Sequence, residues 1–127
     1  MLNRGLKILI VEDSTLILER MDNLISELEC ISNVSKSVNG SDVIQIVNEQ
    51  NPDVILLDIN LPGRSGLSIL KEIKSTTKTM VVMLTNYSDQ YYRTLCTQLG
   101  ADHFLDKSTE FEKIPELLRS IHSTFSN

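Results

Sequence analysis

Five short runs of aliphatic residues alternate along this chain with stretches in which apolar residues recur at helical spacing, and this alternation strongly limits the possible folds. The runs lie at 7–11, 32–38, 54–57, 79–84 and 101–105. Strands of unbroken Val, Ile and Leu are usually buried on both faces, as in a parallel sheet covered by helices on each side. The second run is more polar, which is typical of an edge strand. The sequence therefore predicts an α/β fold, a doubly wound (βα)5 parallel sheet.

The helical patterns fill the intervals between these runs and follow the last one. They are predicted at 16–28, 40–47, 65–76, 89–99 and 114–125. Gly100 follows the fourth pattern, where a left-handed residue commonly ends a helix. Pro115 must fall in the first turn of the last helix, because a missing N–H is tolerated there.

The composition agrees with one globular domain, because 127 residues with 41% hydrophobic residues can build a sizeable core. The longest purely apolar run, 80–84, is far too short to span a bilayer, and no signal peptide is recognisable, so a cytoplasmic location is predicted. The net charge of −5 argues against binding to nucleic acid or an anionic membrane. Cys30 and Cys96 are interpreted as reduced, buried thiols.

Polar residues follow or end the predicted strands at their carboxyl ends, the edge at which doubly wound sheets form their ligand sites. These residues are Glu12, Asp13, Asp58, Thr85, Asp106 and Lys107. Taken singly, Asp13 is explained as a helix N-cap, Asp58 as a turn residue and Lys107 as a solvated lysine. Thr85 alone is an ordinary strand-end hydroxyl. Their shared position on one rim favours a functional site.

Four motifs occur in order along the chain: ILIVEDS, VILLDINLPGRSG, VVMLT and FLDKS. With them, essentially the whole sequence resembles the receiver domain of two-component response regulators. The resemblance implies a flavodoxin-like sheet with strand order 2-1-3-4-5. It also implies a phosphorelay function, in which Asp58 takes a phosphoryl group from a histidine kinase or a histidine phosphotransfer protein. The aspartyl phosphate would then switch contacts with a downstream protein.

The implied strand order brings three carboxylates together, those of Glu12, Asp13 and Asp58. At a separation of about 5 Å and an effective dielectric constant near 20, each pair repels by about 3 kcal/mol. A hard divalent cation such as Mg²⁺, or Mn²⁺ in its place, would relieve this repulsion. By resemblance, Asp13, Asp58 and the backbone carbonyl of Asn60 would bind the metal directly, and Glu12 would act through a metal-bound water.

Three further residues receive roles from the resemblance. Lys107 would neutralise the phosphoryl oxygens, and Thr85 would donate its hydroxyl to one of them. Phe104 matches an aromatic residue that rotates inward when the threonine moves, but it is equally explained as a plain core residue. The output face would comprise the fourth helix, the fifth strand and the fifth helix, with contact positions at Arg93, Thr94, Gln98 and Lys113.

Two positions bear on how closely the chain follows the family. The family usually has a cis proline after the lysine, whereas this chain has Lys107-Ser108. A non-proline cis bond costs about 3 kcal/mol, so the sequence leaves the geometry that aims Lys107 open. Tyr87 stands at a variable position, and we hypothesise that it shields the phosphoryl group and slows self-dephosphorylation.

The expected domain organisation is a single receiver domain over 1–127, with no output domain, as a monomer or weak dimer. It would be a signalling phosphoacceptor, with only self-phosphotransfer and autodephosphorylation as activities; a receiver cut from a longer regulator stays possible. A haloacid-dehalogenase-type phosphatase is disfavoured, because such enzymes need a second Asp where this chain has Asn60. A non-phosphorylated scaffold of the same fold is disfavoured by the intact Asp13, Asp58 and Lys107.

Overall fold

The computed structural model describes residues 4–86 and 90–126, which form a five-stranded sheet with helices on both faces. The strands are β1 (Leu6–Val11), β2 (Ile31–Ser37), β3 (Val54–Leu57), β4 (Met80–Thr85) and β5 (His103–Asp106). The helices are α1 (Thr15–Ile25), α2 (Val43–Gln50), α3 (Gly66–Thr76), α4 (Gln90–Gln98) and α5 (Ile114–Ser126). Single 3₁₀ turns at Gly40–Asp42 and Phe111–Lys113 precede α2 and α5.

Neighbouring strands are parallel, and their order is β2-β1-β3-β4-β5. The predicted flavodoxin-like fold and strand order are confirmed, and the polar β2 lies at an edge as expected. The register pairs Val11 with Leu57 and Thr85 with Asp106. The strands therefore end close to one level, so that the residues following β1 and β3 meet on one edge of the sheet.

Alternate residues of the central strands supply two separate cores. On one face, Ile8 and Ile10 of β1 pack with α1 and α5, whereas Leu9 and Val11 pack on the other face with α2, α3 and α4. All four of these side chains are buried. The unbroken aliphatic runs in the sequence thus reflect burial on both sides, as predicted.

The predicted fifth strand begins two residues too early. The backbone N–H of Ala101 donates to the carbonyl of Cys96 at 2.9 Å, and Gly100 adopts a φ of 99°, so both residues close the end of α4. Asp102 then donates its backbone N–H to Val81, and β5 begins at His103. The helix ending predicted at Gly100 therefore extends into the segment that was assigned to the strand.

Two predicted helix boundaries also shift. α1 ends at Ile25 rather than continuing to Leu28, which packs against the core from the following turn. The residues from Gly40 to Asp42 form a 3₁₀ turn instead of the first turn of α2. Apolar spacing predicts which side chains reach the core. It does not show whether the last of these residues lie on the helix or on the adjoining turn.

The remaining expectations on the fold concern proline and cysteine. Pro115 lies in the first turn of α5, as predicted. Cys30 and Cys96 are free, buried thiols, and burial raises the pKa of Cys96 to about 11. Among the described residues, every helix is too short or too polar to cross a bilayer.

Candidate functional site

The site is built where β1 and β3 end side by side. Glu12 and Asp58 directly follow the paired residues Val11 and Leu57, and both acids are buried, at 1% and 6% exposure. Asp13 is exposed beside them. One carboxylate oxygen from each of the three acids lies within 4.8 Å of the others. The predicted convergence of Glu12, Asp13 and Asp58 is thus present in the structure.

Asp13 does not cap α1, so its ordinary explanation is wrong. The N-cap is Ser14, whose hydroxyl oxygen accepts a hydrogen bond from the backbone N–H of Ile17 at 3.3 Å. The backbone N–H of Ser14 itself donates to Glu12 Oε2 at 3.0 Å. These bonds fix the start of α1 and one oxygen of Glu12 without using the Asp13 carboxylate.

Lys107 directly follows the carboxyl end of β5, and its side chain reaches the acid cluster from there. Its Nζ donates to Glu12 Oε1 at 2.5 Å and to Asp58 Oδ2 at 2.9 Å. The Lys107 side chain is only 11% exposed. The other oxygen of Asp58, Oδ1, accepts from the backbone N–H of Ile59 at 2.7 Å. Both oxygens of Asp58 therefore have a fixed donor, which holds its carboxylate in one orientation.

Burial and the ion pairs act on these groups in opposite directions. Burial raises the pKa of Glu12 above its ordinary value, because desolvation of the carboxylate outweighs the bonds from Lys107 and Ser14. Burial alone would lower the pKa of Lys107, but its bonds to Glu12 and Asp58 outweigh that effect and raise it. Lys107 is therefore a cation at neutral pH and supplies positive charge where the acids converge.

A cavity of about 770 Å³ opens beside these groups. Thr85, fully buried at the end of β4, and Asn60, in the loop after β3, both line it. Its other lining residues include Glu12, Asp13, Asp58, Lys107, Ser108, Ile17, Arg20 and Phe111. The structure thus brings the predicted phosphoacceptor, hydroxyl, lysine and metal-binding positions to one solvent-accessible space.

Two glycines allow the loop after β3 to approach the site closely. A Cβ on Gly66 would lie 1.9 Å from the backbone oxygen of Asp58, and the Gly66 N–H donates to Ile59 O at 2.8 Å. Gly63 has a φ of 83°, which other residues rarely adopt. The first residue of α3 therefore lies directly against the backbone of Asp58.

The loop after β5 contains a contact that sequence reasoning missed. The sequence indicates only that Asp106 is a rim acid, but its Oδ1 accepts hydrogen bonds from both the backbone N–H and the hydroxyl of Ser108. No cis peptide bond occurs among the described residues, so the Lys107–Ser108 bond is trans. Asp side chains commonly hydrogen-bond the backbone two residues further on, so the Asp of D-K-S is a signal that could have indicated this contact.

Phe104 is partly buried and packs at the margin of the core beside α4. The guanidinium of Arg93 lies 4.6 Å from its ring centroid, and the same guanidinium forms an ion pair with Glu110 at 3.2 Å. Phe104 is therefore not a fully buried core residue, and its role as a rotating switch residue stays a prediction. Tyr87, the other aromatic residue of interest, lies outside the described residues.

The fold and the site together define a flavodoxin-like protein with a charged site at the carboxyl edge of its sheet. A family model narrows this class, because the model described as the response regulator receiver domain matches residues 8–119. The chain therefore belongs to the response regulator receiver domain family. Two-component signalling systems use this domain.

Individual relatives agree with this assignment. The transcriptional regulatory protein YdfI of Bacillus subtilis (strain 168) is 32% identical over 108 residues, which cover 85% of this chain and 51% of YdfI. DesR of the same organism, also a transcriptional regulatory protein, is 28% identical over 116 residues, covering 91% of this chain and 58% of DesR. The chain spans little more than half the length of these curated relatives.

Solved structures show the same fold. The response regulator domain of Thermotoga maritima CheB superposes with a TM-score of 0.84 at 26% identity, covering 98% of both chains. A DNA-binding response regulator of the LuxR family from Staphylococcus aureus gives a TM-score of 0.83 at 26% identity, covering 92% of this chain and 98% of that one.

Proposed function

We propose that Asp58 is the phosphoacceptor of this receiver domain, and that it takes its phosphoryl group from a phosphohistidine on a histidine kinase or a histidine phosphotransfer protein. The observation that carries the proposal is the placement of Asp58. Its carboxylate is buried yet lines a solvent-accessible cavity, with a lysine on one oxygen and two further acids beside it.

The reaction is a displacement at phosphorus. A carboxylate oxygen of Asp58 attacks the phosphoryl group, a new O–P bond forms, and the N–P bond to the histidine breaks. The imidazole leaves with the electron pair of that bond and takes up a proton. The transition state spreads negative charge over the equatorial oxygens, so the protein contributes mainly by positioning and charge neutralisation.

The acid cluster suits a divalent metal, because its members offer oxygen atoms within 4.8 Å of one another and Mg²⁺ prefers oxygen ligands. Asp13, Asp58 and the Asn60 backbone carbonyl would hold the ion directly, and Glu12 through water; Mn²⁺ would fit the same donors. When bound, the metal neutralises charge on the phosphoryl oxygens.

Two side chains of the protein itself would assist the transfer. Lys107, held between Glu12 and Asp58, is placed to pair with a phosphoryl oxygen once Asp58 is modified. Thr85 lines the cavity at the end of β4 and would donate its hydroxyl to another oxygen. Phosphorylation would then change the contacts of the domain with a downstream protein, through the face formed by α4, β5 and α5.

The test is direct phosphorylation in solution. The protein is incubated with Mg²⁺ and acetyl phosphate, and its intact mass is measured. A single phosphate adduct is expected for the wild type and for Asp53→Asn, which changes the acid at the opposite end of β3. Asp58→Asn should give no adduct. If the wild type gives none with acetyl phosphate and does not bind beryllofluoride, the proposal is wrong.

A further inference from the structure

The segment 106–110, here named the lysine turn, holds the backbone on both sides of Lys107. Asp106 Oδ1 accepts hydrogen bonds from Ser108 N at 2.7 Å, from Ser108 Oγ at 2.6 Å and from Thr109 N at 3.3 Å. Asp106 is 9% exposed, whereas Ser108 and Thr109 are exposed, so these bonds are partly buried at the margin of the surface. One carboxylate oxygen therefore organises the two residues that follow Lys107.

Further bonds join the lysine turn to the sheet. The backbone N–H of Lys107 donates to Thr85 O at 3.0 Å, which continues the pairing of β5 with β4. The backbone N–H of Asp106 donates to Glu110 Oε1 at 3.0 Å, and Glu110 N donates to Asp106 O at 2.8 Å. The Cα of Lys107 is thus fixed from the strand, from the turn and from the start of the next helical segment.

We infer that Asp106 is a positioning residue for phosphoryl transfer to Asp58, acting through Lys107; this inference rests on the proposed function. A lysine side chain is long and flexible, so its ammonium group reaches one place only if its backbone is held. The family pattern has proline after the lysine, which donates no backbone N–H, whereas Ser108 donates twice to Asp106. The chain thus replaces a rigid residue by a hydrogen-bonded turn.

Two measurements on Asp106→Ala distinguish the positioning of Lys107 from a general contribution of Asp106 to folding. The initial rate of Asp58 phosphorylation by acetyl phosphate, at saturating Mg²⁺, should fall about ten- to a hundredfold, because a small misplacement of a catalytic group has effects of that size. Mg²⁺ affinity, measured by calorimetry, should not fall, since Lys107 is not among the proposed ligands and its positive charge opposes that of the metal. Equal losses of rate and of Mg²⁺ affinity would overturn the inference.

Two further variants control for the chemistry of the side chain and for its position along β5. Asp106→Asn keeps an oxygen acceptor for the same donors and should recover most of the rate lost in Asp106→Ala. Asp102→Ala removes a comparable acceptor at the other end of β5, where Asp102 Oδ2 accepts from Val81 N at 2.8 Å, and should phosphorylate at the wild-type rate. An Asp106→Asn variant as slow as Asp106→Ala would contradict the proposed role.

A double-mutant cycle with Lys107→Ala gives the decisive result. If Asp106 acts through Lys107, adding Asp106→Ala to Lys107→Ala should change the phosphorylation rate by less than about twofold. A full additional loss would overturn the inference. If Asp106→Ala does not fold, Ser108→Ala replaces it in the cycle, with an expected loss of about two- to fivefold. A wild type that is never phosphorylated refutes the proposed function, whereas normal phosphorylation of Asp106→Ala refutes only this inference.

Discussion

At the residue scale, the site contains more negative charge than its lysine can balance. Lys107 bonds to Glu12 and Asp58, but Asp13 contributes a third carboxylate within the same 4.8 Å cluster. Within the described cluster, one lysine ammonium is thus set against three carboxylates. The uncompensated charge favours binding of a divalent cation beside Lys107 rather than in its place.

The first prediction concerns this excess charge. Mg²⁺ at about ten times its dissociation constant should stabilise the wild type by about 1.4 kcal/mol, if it binds only the folded state. For a domain of this size, that corresponds to a rise in Tm of about 5 °C. Asp13→Asn and Asp58→Asn should each lose most of the rise in a calorimetric or circular dichroism melt.

The matched control for this prediction is Asp102→Asn, which changes an acid at the opposite edge of the sheet. Its Tm should rise with Mg²⁺ as much as that of the wild type. Equal rises in Asp13→Asn, Asp58→Asn and the wild type would show that the metal binds elsewhere.

At the scale of elements, α3 is docked on β3 through the missing side chain of Gly66. A Cβ at this position would overlap the carbonyl oxygen of Asp58 at 1.9 Å. The neighbouring Ser65 caps the helix by accepting a hydrogen bond from Ser68 N at 3.3 Å. The start of α3 and the backbone of Asp58, the proposed phosphoacceptor, therefore form one packed unit.

The second prediction tests that unit with Gly66→Ala. Helix propensity alone predicts a gain of up to about 1 kcal/mol from this change. The overlap with Asp58 predicts instead a loss of about 1–3 kcal/mol, as for other overpacked sites, and packing should win because the contacted atom belongs to the backbone. Urea denaturation measures the difference, with the exposed Ser68→Ala in the same helix as control. A stabilised Gly66→Ala would contradict the docking.

A second pair of elements is joined at the amino end of the sheet. Asp53, just before β3, accepts hydrogen bonds from both terminal nitrogens of Arg4, at 2.8 and 3.0 Å, and from the backbone N–H of Lys7 at 2.8 Å. Burial by itself raises the pKa of Asp53, but these bonds outweigh it and hold that pKa below its ordinary value. The ionised carboxylate therefore ties β1 to β3.

The third prediction follows from the sign of this shift. Because the pKa of Asp53 is lower in the folded state, its stabilisation is present above the ordinary pKa of about 3.9 and is lost as the pH falls through the folded value. Asp53→Asn should cost about 1 kcal/mol at pH 7, and less at pH 3, in urea unfolding. The control variant Asp42→Asn, at an exposed position, should change the free energy of unfolding by less than about 0.5 kcal/mol at either pH. A cost that is constant with pH would contradict an ionic contribution.

At the scale of the whole molecule, apolar periodicity in the sequence predicts the strands, the helices and the side chains that are buried. Unbroken aliphatic runs indicated strands buried on both faces, and these strands feed the two cores on opposite sides of the sheet. The strand order came from the family motifs, and it implied the convergence of Glu12, Asp13 and Asp58 that the structure contains. The strand order could be predicted only through the resemblance, because apolar periodicity shows which segments are strands but not which strands are neighbours.

The contacts that the sequence does not predict are mostly hydrogen bonds. They involve residues that can adopt more than one local backbone conformation. Ala101 is apolar and was assigned to β5, yet its N–H closes α4. Asp106 fits either the end of a strand or a turn, and it serves both by pairing with Thr85 and by accepting from Ser108. Arg93, a surface residue in the sequence, contacts both Phe104 and Glu110. Such contacts depend on the assembled backbone, which periodicity does not encode.

The thiol of Cys96 provides a probe of the whole fold, because a buried thiol can react only when the structure around it opens. Cys96 lies on α4 and is fully buried, and burial raises its pKa to about 11, so little thiolate exists near neutral pH. In a Cys30→Ser variant, a thiol reagent at pH 8 reports on Cys96 alone. Its labelling by that reagent should therefore require unfolding of the domain.

The fourth prediction joins this probe to the site at the edge of the sheet. If Cys96 is exposed only by global unfolding, Mg²⁺ at ten times its dissociation constant should slow labelling about tenfold, because it binds the folded state alone. Asp13→Asn should remove the protection while leaving Cys96 buried. A rate that Mg²⁺ leaves unchanged would mean that α4 opens without the rest of the domain, so that this helix of the proposed output face would move independently of the proposed phosphorylation site.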